Sequence, residues 1–170
     1  MQINRGRIVT SAGEWALRLY DDWKPRLPEV ERCPECNVTR PRRPTLEYRP
    51  QRIRNRQDVY HFVQSLAEES LEWLIALYLD VGFDLISVET IAQGAVDWVP
   101  VDKCKIILRG IQLGAAGFVL VHNHPSGDAT PSKADWRTMQ SLRRLSENYD
   151  CVLFDAFVVA KSGMRGVELF

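Results

Sequence analysis

The stretch "GFVLVHNHPSGDATPSKAD", residues 117–135, decides the reading of this chain. It opens with an apolar run, Gly117 to Val121, that leads straight into two of the chain's three histidines, His122 and His124. The run reads as a strand. Successive strand side chains alternate between faces, so Val119, Val121 and Asn123 point one way and Leu120, His122 and His124 the other. Both imidazoles are therefore aimed to one side of a strand end. "PSGDATP" is rich in turn residues. "PSKAD" then reads as a helix start, with Ser132 as N-cap and Asp135 at the third helical position. The turn can bring that first helical turn back to face the strand end.

Two imidazoles on one side can share a cation. A catalytic zinc takes three protein ligands and leaves its fourth position to water. Asp135 is the candidate third ligand, in the spacing H-x-H-x(7)-S-x(2)-D. Each part has a plainer meaning alone. Ser132 and Asp135 form a capping-box pattern, "PSGD" is turn chemistry, and a lone H-x-H occurs by chance on surface strands. The combination of strand end, paired histidines, tight turn and acidic helix start points to a metal.

Outward from this stretch the chain reads as α/β. "QDVYHFVQSLAEES" places Val59, Phe62, Val63 and Leu66 at helical spacing. "LEWLIALYLD" (71–80) and "FDLISVETIAQG" (83–94) read as neighbouring strands joined by the short "VGF" turn. "VDKCKIILRGIQLGAA" (101–116) has helical periodicity, and "SKADWRTMQSLRRLSENY" predicts a long helix. "CVLFDAFVVA" predicts a further strand and "GVELF" a short last one. A mixed central sheet flanked by helices is the natural solution.

Residues 1–56 differ from the rest. Prolines stand at 25, 28, 34, 41, 44 and 50, and only "AGEWALRLYDDW" (12–23) suggests a helix, so the segment reads as a poorly ordered, Pro-punctuated arm. Arg40 to Arg56 carries seven arginines against one acid, Glu47; with a formal net charge of zero overall, the remainder is net acidic. The arginines read as a solvated linker, with weak, sequence-blind phosphate contact as the other reading. "CPEC" (33–36) is half a zinc site without its partner, so Cys33 and Cys36 read as free thiols. The opening "MQINRGRIVT" lacks the apolar core of a signal peptide, and no apolar stretch approaches bilayer length. Together with the sparse cysteines this predicts a cytoplasmic protein that does not enter membranes.

"HNHPSGDATPSKAD" resembles the JAMM signature of MPN-domain metalloenzymes, most closely the bacterial RadC (JAB-like) branch. The resemblance covers residues 57–170, and "LEWLIALYLD", "GAVDWVPVDKCKIILRGIQLGAAGFVLV" and "FDAFVVAKSG" match its flanks. Departures include Leu71 where the family has Gln, and Ala156 where it has His; none removes a metal ligand. The resemblance implies an MPN fold of cytidine-deaminase-like type, with Zn²⁺ held by His122, His124 and Asp135.

It also places the catalytic glutamate at Glu72. The residues alone leave Glu68, Glu69 and Glu89 as rivals. Glu72 is then the general base for a zinc-bound water, and the Ser132 hydroxyl donates to the developing oxyanion. The implied reaction is hydrolysis of a peptide or isopeptide amide. Of the other acids, Asp128 is read as bracing the turn and Asp155 as orienting an imidazole from behind. His61 is read as partly exposed structure. Two other functions stand beside this one: a DNA-repair-associated, nucleic-acid-binding protein, and a non-catalytic MPN interaction module. The sequence does not specify an oligomeric state.

Overall fold

The computed structural model describes residues 30–32, 39–41, 46, 50–94 and 101–169. The helix expected at 12–23, Cys33 and Cys36, and much of the arginine-rich segment lie outside the described residues. Within the expected arm, two three-residue strands, β1 (Val30–Arg32) and β2 (Thr39–Pro41), pair antiparallel. Strands this short carry no alternation that a sequence reading can detect.

The main sheet has five strands: β3 (Trp73–Leu79), β4 (Leu85–Gln93), β5 (Gly117–Asn123), β6 (Val152–Ala160) and β7 (Gly163–Gly166). Their spatial order is β4-β3-β5-β6-β7. Only the β5–β6 pair is parallel, so the sheet is mixed. The parallel pair requires a crossover, which α3 (Lys133–Ser146) supplies. The other helices are α1 (Arg56–Val63), continued by a 3₁₀ turn over Gln64–Glu68, and α2 (Lys103–Leu113).

Both faces of the sheet are covered, which explains why β3 and β5 read as continuous apolar runs. All seven residues of each are buried. Leu74, Ala76, Tyr78, Phe118 and Leu120 face one core with Ile106 and Ile107 of α2 and Met139 and Leu142 of α3. Trp73, Ile75, Leu77, Val119 and Val121 face the other, with Val59 and Val63 of α1 and Leu66. Ile53, ahead of the helix, joins this second core, and its N–H donates to the Phe83 carbonyl.

The β3–β4 hairpin closes around Asp80, whose carboxylate accepts from the Gly82 and Asp84 N–H groups. Phe83 takes a left-handed φ of 62°, unusual for a residue with a Cβ. Its ring packs on Phe154, 5.4 Å between centroids, which offsets that cost.

The chain's end departs from expectation. The last strand is Gly163–Gly166, not "GVELF". A two-residue turn at Lys161 and Ser162 sends the chain back so that Ala160 pairs with Gly163 and Phe157 with Gly166. The hairpin register thus uses up "GMRG" as strand, and Val167 and Leu169 instead pack against the first core.

Candidate metal centre

The centre forms where β5 ends. His122 is fully buried, and its side chain stands on the face shared with Leu120. Its antiparallel partner on β3 is Leu74. Continuing that register two residues beyond the ladder sets Glu72 opposite His124, on the same face by the two-residue period. The start of one strand and the end of its neighbour thus bring a carboxylate to the imidazoles.

The third contribution comes from α3. Ser132 caps this helix: its hydroxyl accepts from the Asp135 N–H at 3.1 Å, while the Ser132 N–H donates to Asp135 Oδ2 at 2.7 Å. The plain capping-box reading is therefore correct. It does not exclude the other, because the cap fixes the rotamer that aims the Asp135 carboxylate inward. Asp135 is 3% exposed, and Oδ1 lies 3.2 Å from His122 Nε2 while Oδ2 lies 3.5 Å from His124 Nε2. The two Nε2 atoms are 3.2 Å apart.

These separations test whether the residues fit a metal. Bonds of about 2.0–2.1 Å to a tetrahedral zinc put neighbouring ligand atoms roughly 3.3–3.4 Å apart. The Nε2–Nε2 separation and the distance from each imidazole to its nearer Asp135 oxygen bracket that value. Glu72 completes the cluster, with one potential ligand atom from each of the four residues within 4.8 Å of the others.

The tautomer of His124 also suits a ligand. Its Nδ1 lies 2.9 Å from the Asp128 backbone carbonyl. A carbonyl can only accept, so Nδ1 carries a proton, and giving up the Nε2 proton to a metal would leave that nitrogen's lone pair facing inward. His122 Nδ1 is buried with no hydrogen-bond partner among the described residues.

The electrostatics follow from this packing. Burial opposes ionisation of Asp135, but hydrogen bonds from both imidazoles, their charge and the Ser132 N–H outweigh it. The carboxyl is held well below the usual range. His124 is shifted upward, chiefly by its hydrogen bond to Asp135 and against the cost of burial. Ligand charge and ring orientation are thus set by the protein.

The remaining sequence-predicted acids sort by position. Asp128 braces the turn, accepting from the N–H and hydroxyl of Thr130. Glu89 pairs with Arg109 at 2.6 Å, and Glu68 with Lys161 at 3.6 Å. His61 is exposed on α1. Asp155 does not orient an imidazole. Its parallel neighbour is Val119, on the opposite face of the sheet from His122, and its carboxylate accepts from the Ala156 N–H. The Asp128 main chain, not a carboxylate, performs that task for His124.

One contributor escaped the sequence reading. Asn123, between the two histidines, is fully buried on the other face. Its Oδ1 accepts from the Trp73 N–H at 2.8 Å, and its Nδ2 donates to the carbonyls of Leu71 at 2.9 Å and Glu69 at 3.4 Å. It clamps the main chain on both sides of Glu72. The polar residue at a buried strand end was the available signal.

Taken together, a mixed sheet between helix layers and a His-His-Asp cluster beside a glutamate define a candidate metalloenzyme domain. The description "RadC-like JAB domain" matches residues 53–167. The chain belongs to that family. It is similar to UPF0758 proteins from Rhodobacter capsulatus (40% identical over 97 residues, covering 57% of this chain and 45% of the relative) and Aquifex aeolicus (33% over 109 residues, 64% and 47%). A UPF0758 protein of Ruegeria pomeroyi is 38% identical over 98 residues, 58% of this chain and 44% of the relative. The chain spans about half the length of the curated relatives it matches.

Proposed function

We propose that this domain is a zinc-dependent hydrolase of peptide or isopeptide amides, with His122, His124 and Asp135 as ligands and Glu72 as general base. The observation that carries the reading is the convergence of two Nε2 atoms and one carboxylate at 3.2–3.5 Å, with Glu72 alongside. Two nitrogens and an oxygen in that spacing suit zinc. Zinc bound there supplies Lewis acidity, polarising a substrate carbonyl and lowering the pKa of water.

The chain's own groups do the rest. The Glu72 carboxylate takes a proton from the attacking water and returns it to the amide nitrogen as the C–N bond breaks. The Ser132 hydroxyl, whose oxygen accepts from the Asp135 N–H, keeps its hydrogen to donate to the carbonyl oxygen as charge develops there. The low carboxyl pKa of Asp135 keeps it anionic at neutral pH. A cytoplasmic setting belongs to the same reading: Cys104 and Cys151 are free thiols. No described helix is long and apolar enough to cross a membrane.

The test separates metal from chemistry. Elemental analysis of purified protein should give one zinc per chain, lost in His122→Ala. Glu72→Gln should retain the zinc and lower amide cleavage by at least about 10²-fold, the scale of removing a general base. Full cleavage by Glu72→Gln, or zinc retained by His122→Ala, overturns the assignment.

A further inference from the structure

A groove of about 700 Å³ runs beside the centre. Ser132, Lys133, Trp136 and Arg137 line it from α3, and Arg165 and Glu168 from the chain's end. Ser132, hydrogen-bonded to Asp135, is also part of the groove's lining, so the groove reaches the edge of the cluster.

Sheet register sets the distance. Leu74, His122, Val158 and Arg165 form one cross-strand row over β3, β5, β6 and β7. Side chains in a row stand on the same face. Neighbouring strands lie about 4.8 Å apart, so Arg165 stands roughly 10 Å from His122. An extended peptide covers that distance in about three residues.

The charge in this groove is unbalanced. Lys133, Arg137 and Arg165 are exposed, and none is ion-paired to a carboxylate among the described residues. Glu168 is the one acid in the lining. Trp136, 44% exposed, adds an indole to the same lining. Arginine forks match carboxylate geometry, and an exposed indole packs on the apolar stem of a bound side chain.

We infer that this groove selects acidic peptide segments, with Arg137 and Arg165 binding carboxylates, that on Arg165 about three residues from the scissile amide. The inference rests on the amide-hydrolase reading. A single exposed tryptophan favours a peptide over single-stranded nucleic acid, which uses successive aromatic platforms.

The test uses the zinc-loaded full chain and two fluorescein-labelled peptide sets. One carries Asp or Glu at positions two to four from a fixed central amide, the other Asn or Gln there; labelled oligo-dT is a third probe. Cleavage and anisotropy are followed at low and high salt. Acidic peptides should be cleaved roughly tenfold better, an advantage that shrinks with salt. R137E/R165E should shift the preference to lysine-bearing peptides. R137Q/R165Q should abolish it without reversing it, a check that does not depend on the reversed pair folding.

Equal cleavage of the two sets overturns the subsite and leaves the hydrolase reading intact. Acidic peptides that bind through Arg137 and Arg165 without being cleaved keep the carboxylate-binding groove but overturn its placement relative to a scissile amide, and with it the peptide-hydrolase reading. Neither cleavage nor charge-selective binding overturns the subsite. Tighter oligo-dT binding, lost in R137E/R165E, overturns the peptide assignment.

Discussion

Asn123 stands between two imidazoles in sequence, yet its side chain works on the other face of the sheet. Its amide satisfies the buried Trp73 N–H and the Leu71 carbonyl, one residue after Glu72 and one before it. Truncation would leave both main-chain groups without that partner, the Trp73 N–H in a buried position. Asn123→Ala should therefore destabilise the protein by about 1–3 kcal/mol, the cost of a buried unsatisfied group. It should also lower kcat more than it raises KM, because Glu72 loses its fixed position while the substrate groove is untouched. Zinc stoichiometry should stay at the parent value, since none of the three proposed ligands hydrogen-bonds to the Asn123 amide. Urea unfolding, steady-state kinetics and elemental analysis on one preparation check all three. Loss of zinc would show that Asn123 supports the ligands instead.

Among the elements, α2 packs tightly on the sheet at Gly110. A Cβ there would lie 2.1 Å from Cys151 Sγ and 3.2 Å from the Tyr78 ring. Tyr78 in turn donates its hydroxyl hydrogen to the Ile106 carbonyl at 3.0 Å, tying the helix to β3. Burial pushes the Cys151 thiol up to about 11, so it behaves as an inert packing group at neutral pH. Gly110→Ala should cost about 1–3 kcal/mol through overpacking, despite alanine's better helix propensity. In a Cys151→Ala background the cost should shrink, with a favourable coupling of about 1 kcal/mol or more in a double-mutant cycle. Additive effects in urea unfolding would mean that the helix shifts instead of clashing. The same scale explains what the sequence made legible. β3 and β5 are buried on both faces, so their apolar runs were readable, and the turn-plus-cap chemistry from His124 to Asp135 is local. β7 was not readable: "GMRG" has no strand pattern, and its pairing comes from the preceding turn. Asp155 was misread because a register shift between Phe118 and Val119 against β6 determines which residues of the two strands stand side by side. Glu72 was separated from its rivals only by resemblance, since its position depends on pairing between residues about fifty apart.

At the scale of the whole molecule, the cluster draws on three elements, with Glu72 about fifty residues ahead of the histidines. Glu72 precedes β3, His122 and His124 end β5, and Asp135 lies in the first turn of α3. None of these neighbours another until the sheet is assembled and α3 has crossed over it. The unfolded chain has no such site, although isolated histidines can bind zinc weakly. A ligand that binds the folded form alone stabilises it by mass action, about 2.7 kcal/mol at one hundred times its Kd. For a domain of this size that corresponds to a rise in Tm of roughly 5–15 °C. Zinc added to chelator-treated protein should raise Tm progressively with concentration, and the rise should be absent in His122→Ala and Asp135→Asn. Glu72→Gln should keep the rise, because Glu72 is assigned to the proton and not to the metal. Differential scanning calorimetry across a zinc titration measures all four proteins alike. A Tm independent of zinc in the parent protein would mean that the imidazoles and carboxylate are satisfied by their own hydrogen bonds, and the metal assignment would fall with it.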